Sequence, residues 1–196
     1  MAINKLKGKK VLITAGPTWV RLDSVRIISN IATGETGVLI ARALRRLGAN
    51  VKLLLGPFEL SSLDKTLTKE LKAKRYDIVI HSSAVSDYKA GKAFQGKIKS
   101  GIKNLKLTLV PTKKIINTIK KLSPGTRLVG FKFEPNASKV RLISEARMLM
   151  RRSCCDLVVA NTLGNRGYHA LIVDGHKVFG PYSKKTELVS NLIRHL

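Results

Sequence analysis

Apolar runs alternate with segments of helical period along most of this chain. Short runs rich in Val, Ile and Leu are typical of buried parallel strands, and the segments between them repeat their apolar residues every three or four positions. The strand-like runs include residues 11–15, 49–56, 77–84, 127–131 and 156–161, and the helix-like segments include 37–48, 66–74, 112–121 and 139–152. This alternation predicts an α/β fold, in which helices cover both faces of a parallel sheet.

Two parts of the chain depart from this pattern. Residues 88–103 are rich in Gly and Lys with little apolar periodicity, which predicts a mobile flap, and residues 105–110 (LKLTLV) are predicted to resume the alternation as a strand. Near the C-terminus, Asp174 and Gly175 separate two β-rich runs and predict a β-hairpin, followed by a closing helix over 184–196.

Length and composition favour one domain over residues 1–196. The sequence contains neither a signal peptide nor an apolar run long enough to cross a membrane, so we expect a soluble, cytoplasmic protein without membrane association. Cys154 and Cys155 are adjacent, which is poor geometry for a disulfide, and we expect both to be reduced at the start of a buried strand.

The formal net charge is +25, from 37 Lys and Arg against 12 Asp and Glu. Nucleic acid, anionic metabolites or a basic proteome could each account for it. The basic residues are spread over several helix-like segments and only 5% of residues are aromatic, so specific nucleic-acid binding is the weaker interpretation. A positive field around a cleft for phosphorylated substrates explains part of the charge.

The run from Val11 to Gly37 predicts a phosphate cradle. A buried strand is followed by a turn at Gly16, and Gly34 and Gly37 open a helix whose N-terminal N–H groups can bind an anion. The long interval between Gly16 and Gly34 differs from the compact G-x-G-x-x-G of dinucleotide sites. The same glycines could instead serve only turns and helix packing.

Several blocks resemble, in order, the phosphopantothenate-cysteine ligases of coenzyme A biosynthesis. They are LITAGPT, DSVRIISN, ATGETG, HSSAVSDY, KIKS, LVGFKFE and DLVVAN, and the resemblance extends from about Lys10 to the C-terminus. It implies a three-layer, Rossmann-like, mostly parallel sheet with a flap and a C-terminal hairpin, working as a homodimer. The absence of a flavin-binding decarboxylase segment leads us to expect the stand-alone form of the ligase.

The resemblance implies a ligase that joins phosphopantothenate to L-cysteine. A nucleoside triphosphate, CTP or ATP, activates the carboxylate as an acyl-nucleotidylate with release of pyrophosphate, and cysteine then displaces the nucleotide; Mg²⁺ is the expected cofactor. Lys132, after the phenylalanine of GFKFE, points away from the fused, CTP-preferring type without deciding between CTP and ATP. Protein side chains are not expected to form a metal site of their own.

Residue roles follow from the resemblance. Asn30, Lys97 and Arg26 match the catalytic positions: Asn30 contacts the acyl group, Lys97 is the flap lysine that meets the nucleotide phosphates, and Arg26 contacts phosphopantothenate across the dimer interface. The substrate pocket comprises Arg26, Asn30, Ser83, Ala84 and Asp87, and the nucleotide site comprises Gly16, Gly34, Gly37, Asp87, Lys97, Phe131 and Asn161.

Each role has a simpler alternative. Asn30 and Asp87 could cap a turn or helix, Arg26 and Lys97 could be solvated surface cations, and Phe131 could be a core aromatic residue. For the whole chain, the alternatives are a nicotinamide-dependent reductase, a nucleic-acid-binding protein and a degenerate ligase that binds without turnover. The second strand ends in LLLGP and lacks the acidic residue that a nicotinamide site needs.

Overall fold

A computed structural model describes residues 5–92, 94–165 and 167–196. Within this part of the chain the strands are β1 Lys10–Ala15, β2 Thr18–Arg21, β3 Ile27–Ser29, β4 Asn50–Leu55, β5 Phe58–Glu59, β6 Ile78–His81, β7 Tyr88–Ala90, β8 Leu109–Pro111, β9 Arg127–Phe133, β10 Leu157–Gly164, β11 Gly167–Val173 and β12 Val178–Tyr182. The helices are α1 Glu35–Arg46, α2 Leu60–Ala73, α3 Ile116–Leu122, α4 Lys139–Ser153 and α5 Lys185–Arg194.

A mostly parallel central sheet organises the fold. Its strand order is β12-β11-β10-β9-β6-β1-β4, and the strands from β10 to β4 are parallel. At the other end, β11 runs antiparallel to β10, and β12 runs antiparallel to β11. The predicted parallel sheet and C-terminal hairpin are therefore confirmed.

Helices cover both faces of this sheet and bury two apolar cores. On one face α1 and α5 bury Ile40, Leu44 and Leu192 against strand residues. On the other face α2, α3 and α4 pack on the sheet, and Leu63, Leu67 and Leu71 of α2 recur at the spacing of a single helix face. The helical periods read from the sequence thus correspond to the buried faces of real helices.

Residues 105–110 do not continue the central sheet, and that part of the sequence prediction is wrong. Only Leu109–Pro111 is a strand, β8, and it pairs with β7 in a separate two-stranded sheet. The segment between these strands carries the predicted flap, and β7 is its regular base. Leu105, Leu107 and Leu109 are all exposed, so their alternation does not mark a buried strand.

The long interval between Gly16 and Gly34 contains two strands of a small sheet that the sequence pattern did not reveal. There β2 lies between β3, which is antiparallel, and β5, which is parallel. The strands β2 and β3 lie between the end of β1 and the start of α1, the position that a tight phosphate-binding turn occupies in a dinucleotide fold, whereas β5 follows β4.

Cys154 and Cys155 are free, as expected, and Cys155 is buried just before β10. Burial, reinforced by the nearby Asp156 carboxylate, raises the pKa of the Cys155 thiol to about 12. None of the helices in the described ranges has the length and apolar character needed to cross a bilayer.

Candidate active site

A cleft of about 590 Å³ lies at the carboxyl edge of the central sheet. Its walls come from the ends of β1, β6, β9 and β10 and from the first turn of α1. Open parallel sheets bind ligands at this edge, where the loops after neighbouring strands meet. Eight of the predicted site residues line the cleft: Gly16, Gly34, Gly37, Ser83, Ala84, Asp87, Phe131 and Asn161.

Gly16 and Gly34 allow two backbone segments to approach each other at the cleft floor. Both have positive φ, 87° and 76° respectively. A Cβ on Gly34 would lie 2.9 Å from the Gly16 nitrogen, and one on Gly16 would lie 3.0 Å from the Gly56 nitrogen. A side chain at either position would therefore strain the backbone and separate these segments.

Gly34 is also the N-cap of α1, and as a glycine it offers no side-chain acceptor to the helix. The first N–H groups of a helix have no partner within the helix, and together with the helix dipole they favour an anion. Gly34, Glu35, Thr36 and Gly37 all line the cleft. The cradle predicted for a phosphate is thus part of the cleft wall.

Gly37 has a packing reason to be glycine. A Cβ there would lie 2.4 Å from the Ala15 Cβ and 2.8 Å from the Ser82 Oγ. Because Gly37 is on the buried side of α1, it sets how closely the helix lies on β1. Gly37 therefore has a packing role, and its predicted contact with nucleotide remains a prediction.

The segment after β6 forms the second wall and is held to the β1–β2 turn. The Ala84 N–H donates to the Gly16 carbonyl at 2.9 Å, and the Thr18 N–H donates to the Ala84 carbonyl at 3.0 Å. The Asn30 side chain reaches the same carbonyl, its Nδ2 donating at 2.8 Å. Asn30 therefore contacts Ala84, a residue of the cleft wall, although Asn30 does not itself line the cleft.

Ser83 and Asp87 differ in their surroundings. The Ser83 hydroxyl is buried and has no hydrogen-bond partner among the described residues. Asp87 is exposed, and its carboxylate accepts a short hydrogen bond from the Lys114 ammonium, which also lines the cleft. Asp87 is thus held at the rim by a cation rather than by a turn or helix cap.

Apolar and amide groups line the far end of the cleft. Phe131 on β9 packs partly into the core beneath α1 and α5, and Asn161 lies on the adjacent β10. Leu163 and Tyr168 extend this surface. The core alternative for Phe131 is therefore partly right, because the ring both packs in the core and borders the cleft.

Sequence reasoning assigned none of the further basic residues of the cleft to a site, although it noted Lys132 for its bearing on the nucleotide type. Lys114, Lys132, Arg152 and Lys185 come from different elements, and only the fold brings them together. Lys132 pairs with Glu134 at 2.9 Å and with Glu145 at 3.1 Å. Burial opposes the charge of Lys132, but these pairs outweigh it and raise its pKa.

Lys185 and Glu35 form an ion pair across the cleft mouth, between the first turns of α5 and α1. The Lys185 ammonium also lies 6.0 Å from the Tyr168 ring centroid. Because Glu35 stands in the first turn of α1, its charge opposes anion binding there unless a cation compensates it.

A buried histidine lies at the floor of the cleft. The His81 Nδ1 is 2.7 Å from the Thr14 Oγ1, and His81 is 5% exposed. Burial lowers its pKa from 6.5 to about 4, so the ring is neutral at physiological pH.

Arg26 and Lys97 are not among the residues that line the cleft of their own chain. Arg26 follows the loop after β2 and pairs with Asp23, and Lys97 is exposed in the segment between β7 and β8. The structure therefore places these two predicted catalytic residues outside the cleft of their own chain. The described residues contain no cluster of three or more His, Cys, Asp or Glu that could hold a metal ion.

Comparison with known proteins identifies the family. The family model of the DNA/pantothenate metabolism flavoprotein C-terminal domain matches residues 6–190. The chain belongs to this family. The resemblance read from the sequence blocks is thus confirmed.

Bifunctional coenzyme A biosynthesis proteins are among the relatives. The chain is 43% identical over 171 residues to CoaBC of Thermococcus kodakarensis, covering 81% of this chain and 42% of that protein. It is 32% identical over 216 residues to CoaBC of Escherichia coli K12, and the match covers 97% of this chain and 52% of that protein. The chain thus spans about half the length of the curated relatives it matches.

Solved structures show the same fold. The DNA/pantothenate metabolism flavoprotein of Streptococcus pneumoniae superposes with a TM-score of 0.83 at 26% identity, covering 96% of this chain and 98% of that one. A Cab2 mutant in complex with phosphopantothenate-cysteine superposes with a TM-score of 0.77 at 19% identity, and the match covers 98% of this chain and 86% of that one. The second comparison supports the fold alone.

Proposed function

We propose that this chain is a phosphopantothenate-cysteine ligase of coenzyme A biosynthesis. The observation that carries the proposal is convergence: motif residues spread from Gly16 to Asn161 line one cleft at the carboxyl edge of the sheet. Packing alone would not require these dispersed blocks to meet around one cavity. The family match and the relatives named for coenzyme A biosynthesis support the same reaction.

In the first step, a carboxylate oxygen of phosphopantothenate attacks the α-phosphorus of CTP or ATP, and pyrophosphate leaves. This step brings several anionic groups together. The first turn of α1 and the lysines at the rim, Lys114 and Lys185, are suited to lower that repulsion. The base of the nucleotide would lie towards Phe131 and Asn161.

In the second step, the amino nitrogen of L-cysteine attacks the acyl carbon, and the nucleoside monophosphate leaves as the amide forms. Asn30 is suited to hold the acyl group because its amide can donate and accept without titrating. Its hydrogen bond to the Ala84 carbonyl fixes the side chain beside the wall predicted to bind phosphopantothenate. Neutral His81 beneath this wall adds no further charge to the floor.

Mg²⁺ is proposed to enter with the nucleotide. Magnesium in such sites takes ligands from substrate phosphates, water and one or two carboxylates. Asp87 is a carboxylate at the cleft rim that fits this role, and it is paired with Lys114. When bound, the ion would neutralise phosphate charge.

We further propose a homodimer in which Arg26 serves the cleft of the partner subunit. Within the described residues, more than half of the large exposed apolar side chains lie in residues 25–27 and 88–109, including Val25, Ile27 and Phe94. A concentration of exposed apolar side chains in two segments of the chain favours a protein contact. This is also the region that carries Arg26 and Lys97 away from their own cleft.

The test is a pyrophosphate-release assay with phosphopantothenate, Mg²⁺ and either CTP or ATP, with and without cysteine. We expect phosphopantothenate-dependent release with one of the nucleotides, and amide formation only when cysteine is present. The Asn30→Asp variant, which adds a negative charge beside the Ala84 carbonyl, should lose most of the activity. Absence of release from folded, dimeric protein with both nucleotides would overturn the proposal.

A further inference from the structure

Asp23, in the loop between β2 and β3, carries a buried carboxylate outside the cleft. Its side chain is completely buried, whereas the side chain of its partner Arg26 is 41% exposed. A buried carboxylate is costly unless its oxygens accept several hydrogen bonds. The groups that donate hydrogen bonds to Asp23 therefore show which parts of the chain its carboxylate holds in place.

The two carboxylate oxygens have different partners. Oδ1 accepts from the N–H groups of Val25 and Arg26 at 2.8 and 2.6 Å, which closes the local turn. Oδ2 accepts from the N–H of Ile98 at 3.0 Å and from Arg26 Nη1. One oxygen thus serves the loop, and the other joins it to a segment 75 residues further along the chain.

The distant segment is the flap, and more contacts secure it to the same loop. Arg26 Nη1 also donates to the Ile98 carbonyl at 3.2 Å, so Ile98 is held through both its N–H and its C=O. The Ser24 N–H donates to the Gly96 carbonyl at 3.1 Å, and the Phe94 N–H donates to the Leu22 carbonyl at 3.3 Å. Ile98 is 7% exposed, unlike the exposed residues on either side of it.

The electrostatics agree with this geometry. The Ile98 N–H makes the largest contribution, and with the N–H groups of the local turn and the Arg26 guanidinium it holds the pKa of Asp23 far below its usual range, despite burial. Asp23 is therefore ionised at every pH at which the protein would be studied.

We propose that Asp23 is a positioning residue that latches the flap to the β2–β3 loop, so that Arg26 and Lys97 are presented together as one unit. Arg26 is bound directly by the Asp23 carboxylate, and Lys97 precedes the Ile98 amide that the same carboxylate holds. The consequence for catalysis rests on the proposed ligase function, in which both cations meet anionic substrates. The latch itself is a property of the chain and can be tested without that function.

The competing explanation is that Asp23 only caps its own turn. Asp is common in such turns because its side chain accepts backbone N–H groups two or three residues on. The variant Asp23→Ser separates the two explanations. Its hydroxyl can still accept the local N–H groups, but it lacks the second oxygen that reaches Ile98 and Arg26.

The first measurement is the rate of hydrogen exchange at the Ile98 amide in the purified full chain, detected by mass spectrometry. We expect exchange to be at least about tenfold faster in Asp23→Ser and in Asp23→Asn than in the wild type. The matched control is Asp174→Asn, because Asp174 accepts the N–H groups of His176 and Lys177 in the distant hairpin turn. This control should leave the Ile98 amide unchanged.

The second measurement is a mutant cycle on kcat/KM that combines Asp23→Ser with the joint removal of both cations, Arg26→Ala and Lys97→Ala. If Asp23 acts through these two cations, Asp23→Ser lowers kcat/KM about tenfold in the wild type but less than about twofold when Arg26 and Lys97 are already Ala. A merely structural role would make the two losses multiply. Thermal unfolding of each variant, compared with Asp174→Asn, reports any general loss of stability.

The outcomes separate the latch from the ligase proposal. Unchanged exchange at Ile98 in a folded Asp23→Ser variant would overturn the latch, whatever the activity. Faster exchange with multiplicative kinetic losses would overturn the positioning role. A wild-type protein without ligase activity but with faster Ile98 exchange in the variants would overturn the proposed function and leave the latch intact.

Discussion

At Gly37 two effects of a single methyl group oppose each other. Alanine favours a helix interior over glycine by about 1 kcal/mol. Against this, a Cβ would lie 2.4 Å from the Ala15 Cβ, and overpacking of a buried contact costs about 1–3 kcal/mol. Because both contacting residues lie on the central sheet or directly after its strands, we expect the clash to dominate.

The predicted result is a lower free energy of unfolding for Gly37→Ala, measured by urea denaturation. Gly125→Ala is the control, since a Cβ at Gly125 meets nothing within 4 Å and φ there is not positive. It should change stability by less than about 0.5 kcal/mol. An equally stable Gly37→Ala protein would show that α1 can move away from β1 at little cost.

His81 makes stability depend on pH in a defined window. Its pKa is about 4 in the folded protein against 6.5 for an unperturbed histidine, so the unfolded state binds more protons than the folded state between these values. The stabilisation is complete above pH 6.5 and is lost as the pH falls towards 4. At 1.36 kcal/mol per pH unit, the loss near pH 4 amounts to about 3 kcal/mol.

We therefore expect the free energy of unfolding to decrease less steeply in His81→Gln than in the wild type as the pH is lowered from 7 to 4. Denaturation at a series of pH values in this range would measure it. The matched control is His176→Gln, which removes an exposed imidazole that lies outside the cleft. Parallel pH profiles for wild type and His81→Gln would contradict a neutral, buried histidine at the cleft floor.

At the scale of elements, the first turns of α1 and α5 meet through Glu35 and Lys185. Removing the lysine charge in Lys185→Gln would leave the Glu35 carboxylate uncompensated beside the predicted phosphate cradle. An ion pair of this exposure contributes up to about 1 kcal/mol, so we expect the nucleotide Kd to rise about fivefold. Calorimetric titration of CTP and ATP would measure it.

The double variant Glu35→Gln with Lys185→Gln separates compensation from direct contact. If Lys185 acts by neutralising Glu35, the second substitution restores the nucleotide Kd to within about twofold of wild type. Continued weak binding in the double variant would instead indicate that Lys185 itself touches the nucleotide. Lys9→Gln, which breaks an ion pair with Asp77 at the opposite edge of the sheet, is the control.

The elements also show which features a sequence reveals. Helix-period segments and Val-rich runs such as residues 156–161 predicted the central layers, because those patterns reflect burial on one or both faces. The β2–β3–β5 sheet escaped prediction because its strands have two to four residues and one of its two pairings is with the distant β5. The LKLTLV run misled because its alternation faces solvent.

The candidate site likewise contains some residues that the sequence predicted and others that it did not. Cleft residues such as Gly34 and Asp87 were found through local motifs and the family resemblance. Neither a local motif nor the family resemblance reveals the Asp23 latch, because its decisive partner, Ile98, is distant in sequence and contributes a backbone N–H to Asp23. The cationic set of the cleft likewise exists only after folding joins Lys114, Arg152 and Lys185.

At the scale of the whole molecule, the central question is whether one chain forms a complete site. Asn30 touches the wall of its own cleft, whereas Arg26 does not line it. In a twofold dimer the partner's equivalent surface repeats the same arrangement, so each cleft could receive its arginine from the other subunit. Heterodimers that carry a different defect in each subunit can test this exchange.

The subunits for this test are Arg26→Ala and Asn30→Asp, co-expressed with different affinity tags and purified through both. If Arg26 serves the partner's cleft, one of the two sites combines an intact Asn30 with an intact Arg26, and the other site carries both defects. The heterodimer should then recover about half of the wild-type rate of pyrophosphate release, while each homodimeric variant stays nearly inactive. If Arg26 serves its own cleft, every site in the heterodimer holds one defect and no activity returns. A monomeric wild-type protein in sedimentation equilibrium would reject the shared site before any kinetics were measured.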